Sequence, residues 1–177
     1  MKSKLILLTG LILFGWFMIS CNQNPQSECV TEPETEAVEV TLEDHCAEPT
    51  VLNIDAYTMA NDNFRTALWT GTYLQVTLMA IPVGGEIGLE QHLDVDQFLR
   101  IEDGEAKVMM GDSEDALTFV ETAEADFAII VPAGKWHNLI NTGNRPLKLY
   151  SVYAPPEHPY GTVHKTFEEA EEAEHHH

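Results

Sequence analysis

The sequence predicts an all-β barrel or sandwich closed by a short C-terminal helix. Three observations carry that reading. From Val51 onward, short segments rich in β-branched and aromatic residues recur. Gly, Pro, Asn and Asp stand between them, and no long helical pattern intervenes. Apolar residues make up 44% of the 177-residue chain, enough for the packed core of one domain with a tail at each end.

Residues 1–20 open with Lys2 and Lys4, followed by an apolar run from Leu5 to Ile19. That run is shorter than the roughly 20 residues a membrane span needs. The box Met18-Ile19-Ser20-Cys21 then resembles the cleavage site of a bacterial lipoprotein signal. The resemblance implies a lipid on Cys21 and an address at the cell envelope, on the inner or outer membrane, facing the periplasm or the surface. The alternatives are an ordinary secretory signal or an uncleaved anchor.

Residues 21–50 read as a disordered acidic tether, with Pro25, Pro33, Pro49, many Glu and Thr, and little apolar periodicity. Cys29 and Cys46 lie within it. Outside the cytoplasm they are expected to form a disulfide; two free thiols or an intermolecular bond are the alternatives.

The barrel is expected over residues 51–165. Its candidate strands are Phe64–Thr70, Tyr73–Ile81, Gly85–His92, Gln97–Ile101, Ala106–Met110, Ala116–Glu121, Phe127–Val131, His137–Asn141 and Leu147–Tyr153. Turn signals separate them at Thr70-Gly71, Val83-Gly84-Gly85, Glu102-Asp103-Gly104, Gly111-Asp112-Ser113 and Asn141-Thr142-Gly143-Asn144. Residues 166–177 are expected to form a short helix capped by Thr166, ending in a tail of three histidines. With 29 Asp and Glu against 9 Lys and Arg, the surface repels polyanions, which argues against nucleic acid as a partner.

Four side chains stand at telling spacings. Glu90 and His92 are two apart, so on a strand they share a face. Gln97 follows across a turn at Leu93-Asp94, and His137 follows the turn Pro132-Ala133-Gly134. One carboxylate, two imidazoles and an amide brought together by two hairpins suit a mononuclear metal site. By the same alternation Glu86 faces inward, as a proton acceptor, a partner to a ligand or a rim carboxylate. Leu99 and Ile101 share the parity of Gln97 and line the barrel. Trp136 either walls the cavity or packs outside the sheet. Arg100 takes the opposite face, as a surface ion-pair member or, alternatively, a clamp for a substrate carboxylate. His158 and His164 lie in a stiff stretch rich in proline and rings, as proton carriers or as loop histidines.

The spacing Gly84-x5-Glu90-x-His92-x4-Gln97-x6-Gly104 resembles the first motif of the cupin superfamily, G-x5-H-x-H-x3,4-E-x6-G. Pro132-x-Gly134-x2-His137-x3-Asn141 is similar to the second motif, P-x-G-x2-H-x3-N, although Asp126 stands where a glycine usually opens it. The resemblance covers residues 60–155 and implies a cupin-type jelly-roll β-barrel. It also implies a metal held by Glu90, His92, Gln97 and His137, with Glu90 in place of the family's first histidine and Gln97 in place of its glutamate. This donor set suits one divalent transition metal: Mn, Fe, Ni, Co or Zn. Without Gln97, the remaining three form a two-histidine, one-carboxylate triad. Without a metal, Glu90 and Gln97 would hydrogen-bond within a ligand pocket.

For function, the resemblance implies a metal-dependent enzyme of dioxygenase, isomerase or lyase type acting on a small oxygen-rich molecule. Glu90 would be its catalytic proton acceptor, and Glu86, Leu99 and Trp136 its substrate-binding residues. The alternative is a lipid-anchored module that binds a sugar or other small molecule without turnover. A homodimer through edge strands is expected in either case.

Overall fold

The computed structural model describes residues 40–174. The signal segment, Cys21, Cys29 and the terminal histidines lie outside the described residues. So does most of the expected tether.

Twelve elements follow in order. They are α1 (Ile54–Ala60), β1 (Arg65–Thr70), β2 (Gln75–Ile81), β3 (Glu90–Gln91), β4 (Asp96–Asp103) and β5 (Glu105–Gly111). Then come β6 (Phe119–Glu124), β7 (Ala128–Val131), β8 (Trp136–Asn141), β9 (Leu147–Ala154), β10 (Val163–His164) and α2 (Phe167–Glu174). Two antiparallel sheets result, one ordered β10-β1-β2-β9-β4-β7 and the other β3-β8-β5-β6. Together they make the expected jelly roll.

The core lies between the sheets, where alternate residues of each strand meet. Met79 and Ile81 of β2, Leu99 and Ile101 of β4, Val108 of β5, Leu139 of β8 and Leu147 and Leu149 of β9 are its main members. Alternation is clear on β4, where Gln97, Leu99 and Ile101 are buried and their neighbours are not. On β6 only Ala123 is buried, because that strand is the outer edge of the smaller sheet.

Three differences from the sequence expectation have physical causes. The strand expected over Gly85–His92 shrinks to Glu90–Gln91, with a single bridge from Glu86 to Ile140. Gly88 breaks it by adopting a left-handed backbone at φ +97°, where an added Cβ would stand 3.3 Å from Phe167 Cε2. Helix α1 is a second addition: at seven residues it is too short to show helical periodicity, and Asn53 caps it by accepting from the Ala56 amide at 3.3 Å. Third, residues 43–50 are not loose chain. The His45 amide donates to the Leu68 carbonyl at 2.8 Å, and the Trp69 indole donates to the Glu48 carbonyl at 2.9 Å.

The buried carboxylate of Asp44 fixes this segment further. It accepts from the Thr70 hydroxyl at 2.6 Å and from the Gly161 amide at 3.0 Å. Cys46 is exposed, with its Sγ 3.0 Å from the Tyr160 hydroxyl.

The second motif departs from its family at Asp126, and the backbone accounts for the usual glycine. Asp126 has φ +73°, a left-handed conformation that Asp tolerates better than most side chains. Its amide donates to the Ile101 carbonyl at 2.9 Å, and its carboxylate pairs with Arg100 at 2.5 Å. Arg100 also pairs with Glu102, so it is the surface ion-pair member expected. At the C-terminus, the Glu169 amide donates to the Thr166 hydroxyl at 3.3 Å, capping α2 as expected. Phe167 of that helix packs edge-on against Phe64 with ring centroids 5.6 Å apart.

Candidate metal centre

Pairing of β3 with β8 sets Glu90 directly across from His137. His92 follows β3 and returns to the same side. One donor atom from each of Glu90, His92 and His137 lies within 4.8 Å of the others. His137 Nε2 is 3.1 Å from Glu90 Oε1, and His92 Nε2 is 3.4 Å from the same oxygen.

The far ring nitrogens are also occupied. His137 Nδ1 faces the Lys135 carbonyl at 3.0 Å, and His92 Nδ1 faces a carboxylate oxygen of Glu157 at 3.2 Å. Both partners only accept, so both Nδ1 atoms carry a proton and both Nε2 atoms turn toward Glu90. A nitrogen lone pair facing a carboxylate is repulsive unless a proton or a cation lies between them.

The titration behaviour follows from this packing. Burial alone would raise the Glu90 carboxyl, yet hydrogen bonds and charge from His137 and His92 hold it far below the usual carboxylate range. Burial alone would lower His92, but Glu157 and Glu90 outweigh it and raise the imidazole to about 9. Burial pushes the Tyr153 phenol up to about 12. Tyr153 sets its ring edge-on to His92 at 5.8 Å and to His158 at 5.0 Å. Burial, with the Arg65 charge behind it, lowers His158 to about 3, so that ring is neutral.

Two buried atoms favour a metal. Gln97 Oε1 has no hydrogen-bond partner among the described residues, and His92 Nε2 has only the long 3.4 Å contact with the Glu90 carboxylate. Gln97 is 2% exposed on β4, opposite Tyr153, and its Nε2 donates to the Ser151 hydroxyl at 3.0 Å. Its amide oxygen is therefore left inside the barrel as a spare neutral donor. Three convergent donors, one carboxylate oxygen and two imidazole nitrogens, fit a first-row divalent cation.

A cavity of about 790 Å³ opens on the cluster, lined by Glu90, His92, Glu157, His158, Thr162 and His164, among others. Glu86, Leu99 and Trp136, expected to bind substrate, do not line it. The break at Gly88 explains the first: Glu86 instead accepts from the side-chain Nδ2 of Asn138 at 2.5 Å. Leu99 is 1% exposed in the apolar core, and Trp136 pairs with Gln91 and Gly111 on β8. Glu157 and Tyr153 were not singled out in the sequence. No spacing links Glu157 to His92, because their contact depends on how the closing loop returns over the barrel.

The cupin-domain family matches residues 77–153. The chain is 59% identical over 133 residues to the Bacillus subtilis (strain 168) protein YrkC, covering 75% of this chain and 72% of that one. It is 35% identical over 114 residues to protein L612 of Acanthamoeba polyphaga mimivirus, covering 64% and 69% respectively. The crystal structure of BH2720 from Bacillus halodurans superposes with a TM-score of 0.73 at 58% identity, over 73% of this chain and 98% of that one. The protein belongs to the cupin superfamily, and its Glu90, His92 and His137 form a group compatible with a metal ion.

Proposed function

We propose that this cupin is a metal-dependent enzyme acting on a small oxygen-rich organic molecule, with Glu90, His92 and His137 holding one divalent transition metal and Gln97 as the fourth donor. One observation carries the reading: three donor atoms converge within 4.8 Å beside a cavity, with both histidine Nε2 atoms turned toward the same Glu90 oxygen, at 3.1 and 3.4 Å. A bound metal would supply Lewis acidity toward adjacent substrate oxygens, for chemistry of dioxygenase, isomerase or lyase type.

The protein's own groups define the rest. Glu90, ionised well below the usual range, is a strong anionic donor and a weak base in the metal-free protein. The neutral His158 and the Thr162 hydroxyl line the cavity and can bond to substrate hydroxyls. The buried Tyr153 holds its proton throughout the ordinary pH range and packs against His92.

The orphaned Gln97 oxygen favours a second reading. Four protein donors around a zinc ion would leave no open position, and the protein would then be a binding module rather than a catalyst. In either reading the protein is exported and tethered to the membrane by a lipid on Cys21, and a homodimer through edge strands completes the proposal. Metal analysis of protein purified without an affinity tag, after growth with each first-row metal, tests the centre. A screen of diketones, flavonols and sugar acids with O₂ uptake recorded then separates the readings. Turnover supports the enzyme, whereas binding of a compound without turnover supports the module.

A further inference from the structure

We infer that Glu157 is a positioning residue for the metal centre, orienting His92 through its Nδ1 and supplying a second negative charge outside the ligand set. This rests on the metal reading above and names a residue that neither cupin motif contains.

The geometry is specific. His92 has a carboxylate on each ring nitrogen, Glu157 at 3.2 Å from Nδ1 and Glu90 at 3.4 Å from Nε2. With a cation at Nε2, the line Glu157–His92–metal is the arrangement in which an outer carboxylate fixes the tautomer and makes the imidazole a better donor. The two histidines differ here. His137 donates to the neutral Lys135 carbonyl, whereas His92 faces a charge. Glu90 and Glu157 together bring two negative charges, which balance a divalent cation.

A rim carboxylate on a loose loop would not hold such a place, but this loop is pinned. The completely buried Gln75 clasps the residue after Glu157: its Oε1 accepts from the His158 amide and its Nε2 donates to the His158 carbonyl, both at 2.9 Å. Farther along, the Gly161 amide donates to the buried Asp44 at 3.0 Å. The segment before the barrel thus helps hold the loop that carries Glu157. The Glu157 side chain is 31% exposed, so water reaches one side of it while the other faces His92.

The test is Co²⁺ titration of the full chain, as wild type, Glu157→Ala and Glu157→Gln, alongside melting of each without metal. Loss of an outer partner typically weakens metal binding about 10–100-fold. We expect Glu157→Ala to weaken Co²⁺ binding within that range, while its melting temperature without metal, taken at a pH where the His92 ring is neutral, stays near wild type. Glu157→Gln, which keeps an acceptor oxygen but no charge, should fall between the two. Equal Co²⁺ affinity in wild type and Glu157→Ala overturns the inference and leaves the metal reading intact. So does a loss that is the same in both variants and accompanied by lower metal-free stability, since that marks a purely structural loop residue. A wild-type protein that binds no Co²⁺ overturns the metal reading itself.

Discussion

Glu90 and His137 are direct partners across the β3–β8 ladder, and this pairing places His137 Nε2 3.1 Å from Glu90 Oε1. The two belong to different cupin motifs, 47 residues apart. A two-residue strand is thus enough to join the motifs, because its only register brings the donors face to face. His92 joins from just beyond the strand, and its edge-on contact with Tyr153 brings in the larger sheet.

Removing either partner should therefore disable the centre. Glu90→Gln keeps the shape and loses the charge; His137→Ala removes a donor. Each is expected to weaken metal binding by more than the roughly 10–100-fold that follows loss of an outer partner. Isothermal titration with Zn²⁺ or Mn²⁺ reads the effect. Full occupancy in either variant after dialysis would show that the ion sits elsewhere.

Gln97 allows a gain-of-affinity test. Its Oε1 is buried without a partner, and the family places a carboxylate at this position. Gln97→Glu should tighten Mn²⁺ or Fe²⁺ binding, because a second anionic oxygen joins the donors. The same variant should lower the melting temperature without metal, since like charges buried together are costly, and recover it when metal is added. If affinity is unchanged in both Gln97→Glu and Gln97→Leu, the amide is not a ligand.

Most of the strands could be read from the sequence because their residues alternate between core and surface and turn residues separate them. Glu90, His92 and His137 were legible for a related reason: motif spacing fixes register, and register fixes which side chains meet. What escaped depended on tertiary contact. Helix α1 is too short for a periodic signal, and β10 is only two residues long and exists through its pairing with β1. The inward placement of Glu86 failed because alternation assumes an unbroken strand, and Gly88 breaks it. Glu157 stayed hidden because its partner lies across the molecule. Cys21 and Cys29 belong to segments outside the described residues.

The pH dependence of the metal-free protein follows from His92. Its folded-state proton affinity is raised to about 9 from an ordinary value of 6.5. The stability it contributes is therefore complete below about pH 6.5 and is lost as pH rises through about 9. Across that window urea denaturation should show stability falling at up to about 1.4 kcal/mol per pH unit. Metal binding requires the deprotonated ring, so the loaded protein should lose this slope. The His92→Gln variant should be flat without metal. A wild-type profile that is also flat would mean that Glu90 and Glu157 do not hold a proton on His92.

Asn141 separates motif residues that build the barrel from those that hold the ion. It is 1% exposed, and its Nδ2 lies 2.9 Å from the Ile81 carbonyl, 3.1 Å from that of Pro82 and 2.9 Å from that of Arg145. Its Oδ1 accepts from the Gly143 amide at 3.0 Å. One side chain thus ties the end of β2 to the turn between β8 and β9. Asn141→Ala would leave buried carbonyls without a donor, at roughly 1–3 kcal/mol for each group left unsatisfied. The β3–β8 register that pairs Glu90 with His137 does not depend on the Asn141 side chain. The variant should therefore melt earlier in chemical denaturation while keeping metal affinity within about threefold of wild type, a change worth well under 1 kcal/mol. A large affinity loss at unchanged stability would instead place Asn141 among the residues that shape the centre.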